Sequence, residues 1–266
     1  MPIIEVKAGQ KIKLNDIDPN DTGKFKHKRE VKELLSQNIR RAAELQNILY
    51  AENKHALLIV LQAMDAGGKD GTIRSIMSGI NPQGVQVSSF KKPTEEELTH
   101  DFLWRIHKAV PPRGMIGIFN RSHYEDVLVV RVHNLVPKSV WQKRYEQINN
   151  FERLLTENGL TILKFYLHIS PEEQKERLEA RLKQPHKRWK FNPADLAERA
   201  RWADYMQAFE TAFNKCSTAD APWFIVPANK KWYRNLVISQ KIVETLAGLN
   251  LKYPQPVEGV DDIVIE

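Results

Sequence analysis

Cysteine is almost missing from this sequence. Cys216 stands alone among 266 residues, so no internal disulfide can form and no cysteine-based zinc centre can be assembled. The chain also lacks an apolar run near the roughly 18 residues that cross a bilayer. It shows no signal-peptide pattern, no sequence repeat and no low-complexity linker. These absences predict a soluble protein of a reducing cytoplasm, without a membrane partner. The histidines His100, His107, His133 and His168 are scattered without metal-ligand spacing. Acidic residues are in deficit, 33 against 40 Lys and Arg, a net charge of +7 that favours anionic partners. Charge alone does not choose among nucleic acid, acidic membrane and polyphosphorylated compounds. Hydrophobic residues make up 42% of the chain, enough for a sizeable core.

What is present centres on residues 57–72, LLIVLQAMDAGGKDGT. The apolar run Leu57 to Leu61 has the length of a buried strand, and it empties into Asp65-Ala66-Gly67-Gly68-Lys69-Asp70-Gly71-Thr72. Glycines let successive backbone N–H groups turn inward, a following helix N-terminus adds its positive end, and the lysine supplies a point charge for phosphoryl oxygens. The usual P-loop string G-x-x-x-x-G-K-[ST] is met imperfectly, since Ala63 replaces the first glycine and Asp70 the hydroxyl residue. That hydroxyl normally holds Mg²⁺, so a carboxylate must substitute, with Asp65 the obvious one.

The rest of the chain alternates strand and helix. Residues 1–28 read as an extended arm, and a helical stripe (Val31, Leu34, Leu35, Ala42, Leu45, Ile48, Leu49) runs from Arg29 to about Asn53. Further strands are expected at 85–90, 115–119, 160–169 and 223–226. Intervening helices are signalled by Thr94 with Glu97, Ser139 with Gln142, Ser170-Pro171-Glu172-Glu173 and Asn192-Pro193, and a last helix spans about 231–247. The pattern predicts one α/β domain over 29–266, a five-stranded parallel sheet with helices on both faces.

In such a sheet ligands bind beyond the carboxyl ends of the strands. The segment after 115–119 carries Asn120, Arg121, Glu125 and Asp126; a Walker-B-like strand would end in Asp where Asn120 stands. Asp126 can share a metal with Asp65 or simply cap a helix, and spacing does not separate the two. After residue 169, Arg177 and Arg181 lie one turn apart on a helix. Lys187, Arg188 and Lys190 follow, interleaved with Trp189 and Phe191, a composition suited to a lid around 171–192 closing over phosphates. Arg74, Lys91, Lys92 and Arg131 carry the same suggestion more weakly, because exposed cations need no special reason.

Four blocks taken together, AMDAGGKDGTI (63–73), FNRSHYEDVLVVRV (119–132), LHISPEEQKERLEARL (167–182) with HKRWKFNP (186–193), and APWFIVPANKKWYRNL (221–236), resemble the polyphosphate kinase 2 family. The resemblance implies a P-loop kinase fold like that of thymidylate kinase, with a helical lid. It also implies Mg²⁺-dependent phosphoryl transfer, with Mn²⁺ as the alternative ion, between inorganic polyphosphate and the nucleotides AMP, ADP and ATP. Homo-oligomers, tetramers or dimers, are implied as well. Carried onto this chain, the phosphate cradle is Ala66, Gly67, Gly68, Lys69, Asp70, Gly71 and Thr72 with Arg121, Arg177 and Arg181. Asp65 and Asp126 are the metal pair, and Asp65, Lys69, Arg121 and Asp126 the catalytic set. The His-Tyr-Glu-Asp motif is similar to that of class III members, which phosphorylate both mono- and diphosphates, and this marks Glu125 as an acceptor-selectivity residue. Two alternatives are an ATP-dependent nucleotide kinase of thymidylate-kinase type and, more remotely, a nucleic-acid-binding protein with an inactive P-loop. No nucleic-acid module signature is present, so no nucleic-acid partner is expected.

Overall fold

The computed structural model describes residues 3–260 and 263–265. In chain order its strands are β1 (Ile4–Val6), β2 (Ala56–Gln62), β3 (Val85–Ser89), β4 (Ile116–Asn120), β5 (Leu160–His168) and β6 (Trp223–Pro227). They form one sheet of order β1-β6-β5-β2-β4-β3. The pairs β2–β4, β2–β5, β3–β4 and β5–β6 are parallel, and β1 joins β6 antiparallel. The sheet is therefore mixed and six-stranded, which corrects the expectation of five parallel strands. The added strand comes from the arm at 1–28. It is three residues long and lies at an edge with one face open, too short to show a strand period.

β2 lies at the centre, and both of its faces are covered, which explains its unbroken apolar run. Leu57, Ile59 and Leu61 face one core, where Val31, Leu45 and Leu49 of α1 (Lys28–Glu52) meet Leu236, Val237, Ile242 and Leu246 of α10 (Lys231–Gly248). Leu58 and Val60 face the opposite core with Phe151 and Leu155 of α6 (Lys138–Glu157). Toward β6 that side is filled by Tyr166, Trp223 and Ile225 against Phe209 and Phe213 of α9 (Trp202–Cys216). The connection out of β2 runs to β3 on one side and that out of its neighbour β5 runs to β6 on the other, so the crevice at their carboxyl ends is a topological switch point.

The remaining helices are α2 (Lys69–Ile76), α3 (Glu95–Thr99), α4 (Trp104–His107), α5 (Val129–Val132), α7 (Pro171–Lys183) and α8 (Ala194–Ala200). The stretch expected as one helix from Thr94 to Ala109 is broken between α3 and α4, where Asp101 accepts a hydrogen bond from the Leu103 N–H. Leu98, expected inside, is exposed. The 192–213 helix is likewise split at Arg201, with Leu196 in solvent. α7 starts as its sequence foretells: Ser170 Oγ accepts from the Glu173 N–H and Pro171 occupies the first turn. Such a cap contributes about 1 kcal/mol. Among the described residues no helix is long and apolar enough to cross a membrane.

One charged cluster lies wholly inside. Lys164 of β5 donates to Glu152 Oε2 of α6 at 2.6 Å, to the Tyr124 hydroxyl at 2.8 Å and to the Cys216 carbonyl at 2.6 Å. Glu152 Oε1 also takes the Tyr124 hydroxyl at 2.9 Å and lies 3.1 Å from His123 Nε2. Burial alone would raise the Glu152 carboxyl, but Lys164 and His123 outweigh it and hold the group below its ordinary value. Its contribution to stability is thus full above the unfolded-state value and is lost as pH falls through the lower folded one. Replacing only one member leaves a buried charge unpaired. Lys164→Met should cost about 3–5 kcal/mol in urea unfolding, and adding Glu152→Leu should restore most of that stability. A single variant as stable as wild type would mean the pair is not what anchors α6 to the sheet.

Candidate active site

The site begins where β2 ends. The Gly67 N–H donates to the Met64 carbonyl at 2.9 Å, closing a turn. A Cβ on Gly67 would lie 2.5 Å from Ala63 Cβ, so the loop is packed against its own first residue. The methyl of Ala63, which stands where the string asks for glycine, is thus part of the floor that requires glycine at 67. Ala66 (φ 59°) and Gly68 (φ 103°) both take left-handed backbone, which bends the loop into the start of α2. Thr72 is buried, and its hydroxyl donates to the Gly68 carbonyl at 3.1 Å, which ties it to the helix interior.

Lys69 folds back on this loop, its ammonium donating to the Ala63 carbonyl at 2.9 Å. Burial first, and the Arg121 charge second, push it down to about 8 against the pull of Asp65, Glu125 and Asp70. Arg121, at the carboxyl end of β4, has a positive φ of 62°, and its N–H donates to the Leu61 carbonyl of β2. That strained backbone sets its guanidinium 2.7 Å from Asp65 Oδ1 and 3.8 Å from Glu125 Oε2. Asp70, which stands where a hydroxyl residue is usual, accepts from Asn120 at 2.9 Å and faces Lys190 at 3.5 Å. Burial raises its carboxyl, and these two partners more than reverse that.

Arg177 of α7 is a clamp. Its Nη1 donates to the Ala66 and Gly67 carbonyls, its Nη2 to those of Ala228 and Asn229, and its Nε to Glu173. All five guanidinium N–H donors are thereby engaged within the protein. Arg181 bonds Asp195 at 2.8 Å and the Lys190 carbonyl at 3.2 Å. Asp126 lies deeper, 8% exposed, with Oδ1 taking Arg144 at 2.8 Å. Burial pushes its carboxyl up to about 6 even beside Arg144 and Arg105.

Two open cavities share the loop. One, of about 520 Å³, is lined by Asp65, Lys69 and Asp70 with Ser89, Phe90, Lys91, Lys92, Asn120 and Arg121. The other, of about 720 Å³, is lined by Arg74, Arg177, Lys187, Trp189, Lys231 and Arg234 among others. Ala66, Gly68, Gly71, Arg181 and Lys190 belong to both. Glu125 lies instead in a recess of about 30 Å³ with Asp65, Arg121, Glu198 and Tyr205. Thr72, Asp126 and Arg188 line neither large cavity; Arg188 is exposed and donates to the Leu182 carbonyl.

Sequence reading overlooked Lys231 and Arg234. Both fall in the family-like block 221–236, and their signal was position, since they follow β6 at the carboxyl end of the sheet where the P-loop lies. Among the described residues no group of three or more His, Cys, Asp or Glu gathers to hold a metal. Asp65, a half-buried hard oxygen donor on the first cavity, suits a Mg²⁺-like ion that takes one or two carboxylates and fills its shell with water and substrate phosphate.

An anion beside Lys69 favours its charged form, so polyphosphate binding should draw a proton onto it. Affinity for tripolyphosphate should therefore fall as pH rises through about 8. Calorimetry in buffers of different ionisation heat reads that proton uptake, and Lys69→Met should abolish it. Uptake unchanged in the variant would assign the proton to another group.

Residues 24–254 match the family model for Polyphosphate kinase 2. The chain is 55% identical over 262 residues to an AMP/ADP-polyphosphate phosphotransferase of Meiothermus ruber, covering 98% of each protein. It is 48% identical to an ADP-polyphosphate phosphotransferase of Rhodopseudomonas palustris, covering 94% of this chain and 91% of that one. The crystal structure of Polyphosphate Kinase 2 from Arthrobacter aurescens superposes with a TM-score of 0.93 at 47% identity, over 97% of this chain and 93% of that one. With the loop, the flanking cations and these full-length matches in agreement, the chain belongs to the polyphosphate kinase 2 family.

Proposed function

We propose that the protein transfers phosphoryl groups reversibly between inorganic polyphosphate and nucleotides, converting AMP to ADP and ADP to ATP. The observation that carries this reading is the pair of cavities meeting at one P-loop. Transfer between two phosphate chains needs two anion seats converging on the transferring group, with attacking and leaving oxygens roughly in line. The first cavity suits the nucleotide, because Phe90 and Asn120 offer an aromatic face and an amide beside the loop. The second suits the polyphosphate chain, since seven Lys and Arg side chains line it against two carboxylates. The activities for which the Meiothermus and Rhodopseudomonas relatives are named support the same overall reaction.

The attacking group is a phosphate whose second pKa is about 6, so it arrives ionised and needs no general base. The site must align and neutralise. In this reading the amides of Ala66 to Gly71 cradle the transferring group, and Lys69 exchanges the Ala63 carbonyl for a phosphoryl oxygen. Arg121 reaches across from β4. Lys190 and Arg181, on both cavities, draw residues 171–192 down as a lid, with Lys187 and Arg188 adding charge at its rim. A divalent cation held at Asp65, Mg²⁺ or Mn²⁺, would neutralise phosphoryl oxygens. Asp126, paired with Arg144, would supply the second carboxylate for that ion. The thymidylate-kinase-like arrangement of loop and lid, cytoplasmic residence and assembly as a dimer or tetramer belong to the same proposal, on the strength of the family motifs.

Glu125 acts through Arg121. Its recess is too small for a nucleotide, but its carboxylate and Asp65 share the Arg121 guanidinium and so set how far that charge leans toward the acceptor. Glu125→Asn leaves Arg121 bound to Asp65 alone and should reduce use of AMP more than of ADP; equal losses on both acceptors would remove its selectivity role. The activity is tested with Mg²⁺, polyphosphate and AMP without ATP. ADP and then ATP should appear, and their absence would favour an ATP-dependent nucleotide kinase.

A further inference from the structure

Arg234 lies in the first turns of α10 and is 2% exposed. Its Nε and Nη2 donate to Asn235 Oδ1 at 3.1 and 2.8 Å, while Nη1 is buried without a hydrogen-bond partner. Among the described residues no carboxylate pairs with it. Arg177 is a close neighbour of like charge: a Cβ on Gly68 would lie 2.1 Å from Arg234 Nη1 and 3.4 Å from Arg177 Nη1. Glu173, which lines the same cavity, is committed to Arg177 at 2.7 Å. Burial, and then Arg177, push the Arg234 guanidinium down to about 10. The positive end of α2 starts at this same glycine.

An unpaired buried guanidinium with these neighbours is unfavourable in the free protein. A strut for the loop would donate to loop carbonyls, as Arg177 does, yet Arg234 makes no such bond. What it does have is a place on the wall of the second cavity, against Gly68 and Gly71 of the loop. We propose that Arg234 is a binding residue for the polyphosphate donor, holding phosphoryl oxygens on the α10 side of the P-loop, its charge balanced only when the chain is bound. This rests on the polyphosphate kinase reading of the site. It adds a contact from the last helix, so the donor is gripped by the lid, the loop and α10 together.

The proposal makes stability and function move in opposite directions, which a structural role does not. Arg234→Met removes the unbalanced charge. The ligand-free thermal midpoint should rise by about 2–4 °C. KM for polyphosphate should rise about tenfold to a hundredfold, with KM for AMP within about twofold of wild type. Tripolyphosphate should raise the midpoint of the variant less than that of wild type, and Arg234→Lys should recover part of the polyphosphate affinity. A lowered midpoint or failure of Arg234→Met to fold would make the residue a structural strut and overturn the proposal. An unchanged polyphosphate KM, or equal loss of both substrates, would overturn it as well. Failure of the underlying reading is seen separately: the wild-type protein would then form no ADP from AMP and polyphosphate.

Discussion

The hydrogen bonds of Arg177 to four backbone carbonyls are the constraint on which the site depends. A P-loop turns its N–H groups inward to receive phosphate, so its carbonyls point outward and need partners of their own. Arg177 supplies them at Ala66 and Gly67, and with its other nitrogen ties Ala228 and Asn229 to the same point. One side chain thus joins the loop after β2, the base of α7 and the residues that lead from β6 into α10. The arm reinforces that junction, because the Asn229 N–H donates to the Pro19 carbonyl and its side chain to Asn20.

The second governing feature is an electrostatic surplus. Lys69 and Arg234 are both pushed down by burial and by neighbouring arginines, and Lys231 is lowered for the same kinds of reason. Such crowding costs folding free energy in the empty protein and becomes favourable when polyanions arrive. Carboxylates at the site moderate it locally. Asp65 and Glu125 hold Arg121, Asp195 holds Arg181, and Asp70 links Asn120 of β4 to Lys190 beyond α7. The aspartate in the hydroxyl position of the P-loop therefore has a structural account independent of any metal, as a bridge between the sheet and the segment that follows α7.

The loop, the five parallel strands and the start of α7 were legible because each rests on local physics: a doubly covered strand is apolar throughout, and caps and glycines act within a few residues. The antiparallel β1 was not legible, since Ile4–Val6 gains its identity only from pairing with β6 more than two hundred residues away. Helix continuity was over-read at 94–109 and 192–213, where apolar spacing continues across breaks made by Asp101 and Arg201. Arg177 was legible as a cation on a helix face, but the identity of its partners was not.

By itself, the sequence determined a strand–loop–helix of P-loop type at residues 57–72 within an α/β domain, and its four motif blocks carried the family. Both follow from short-range pattern and residue type. Tertiary structure alone decided which cations reach the loop. Arg121 arrives from β4, Arg177 from α7 and Lys190 from the turn after it, and Lys231 and Arg234 from the last helix, each brought in by strand order rather than by sequence spacing. It also decided which charges are paired and which are left unbalanced. That balance depends on distance and burial, which a linear pattern does not encode.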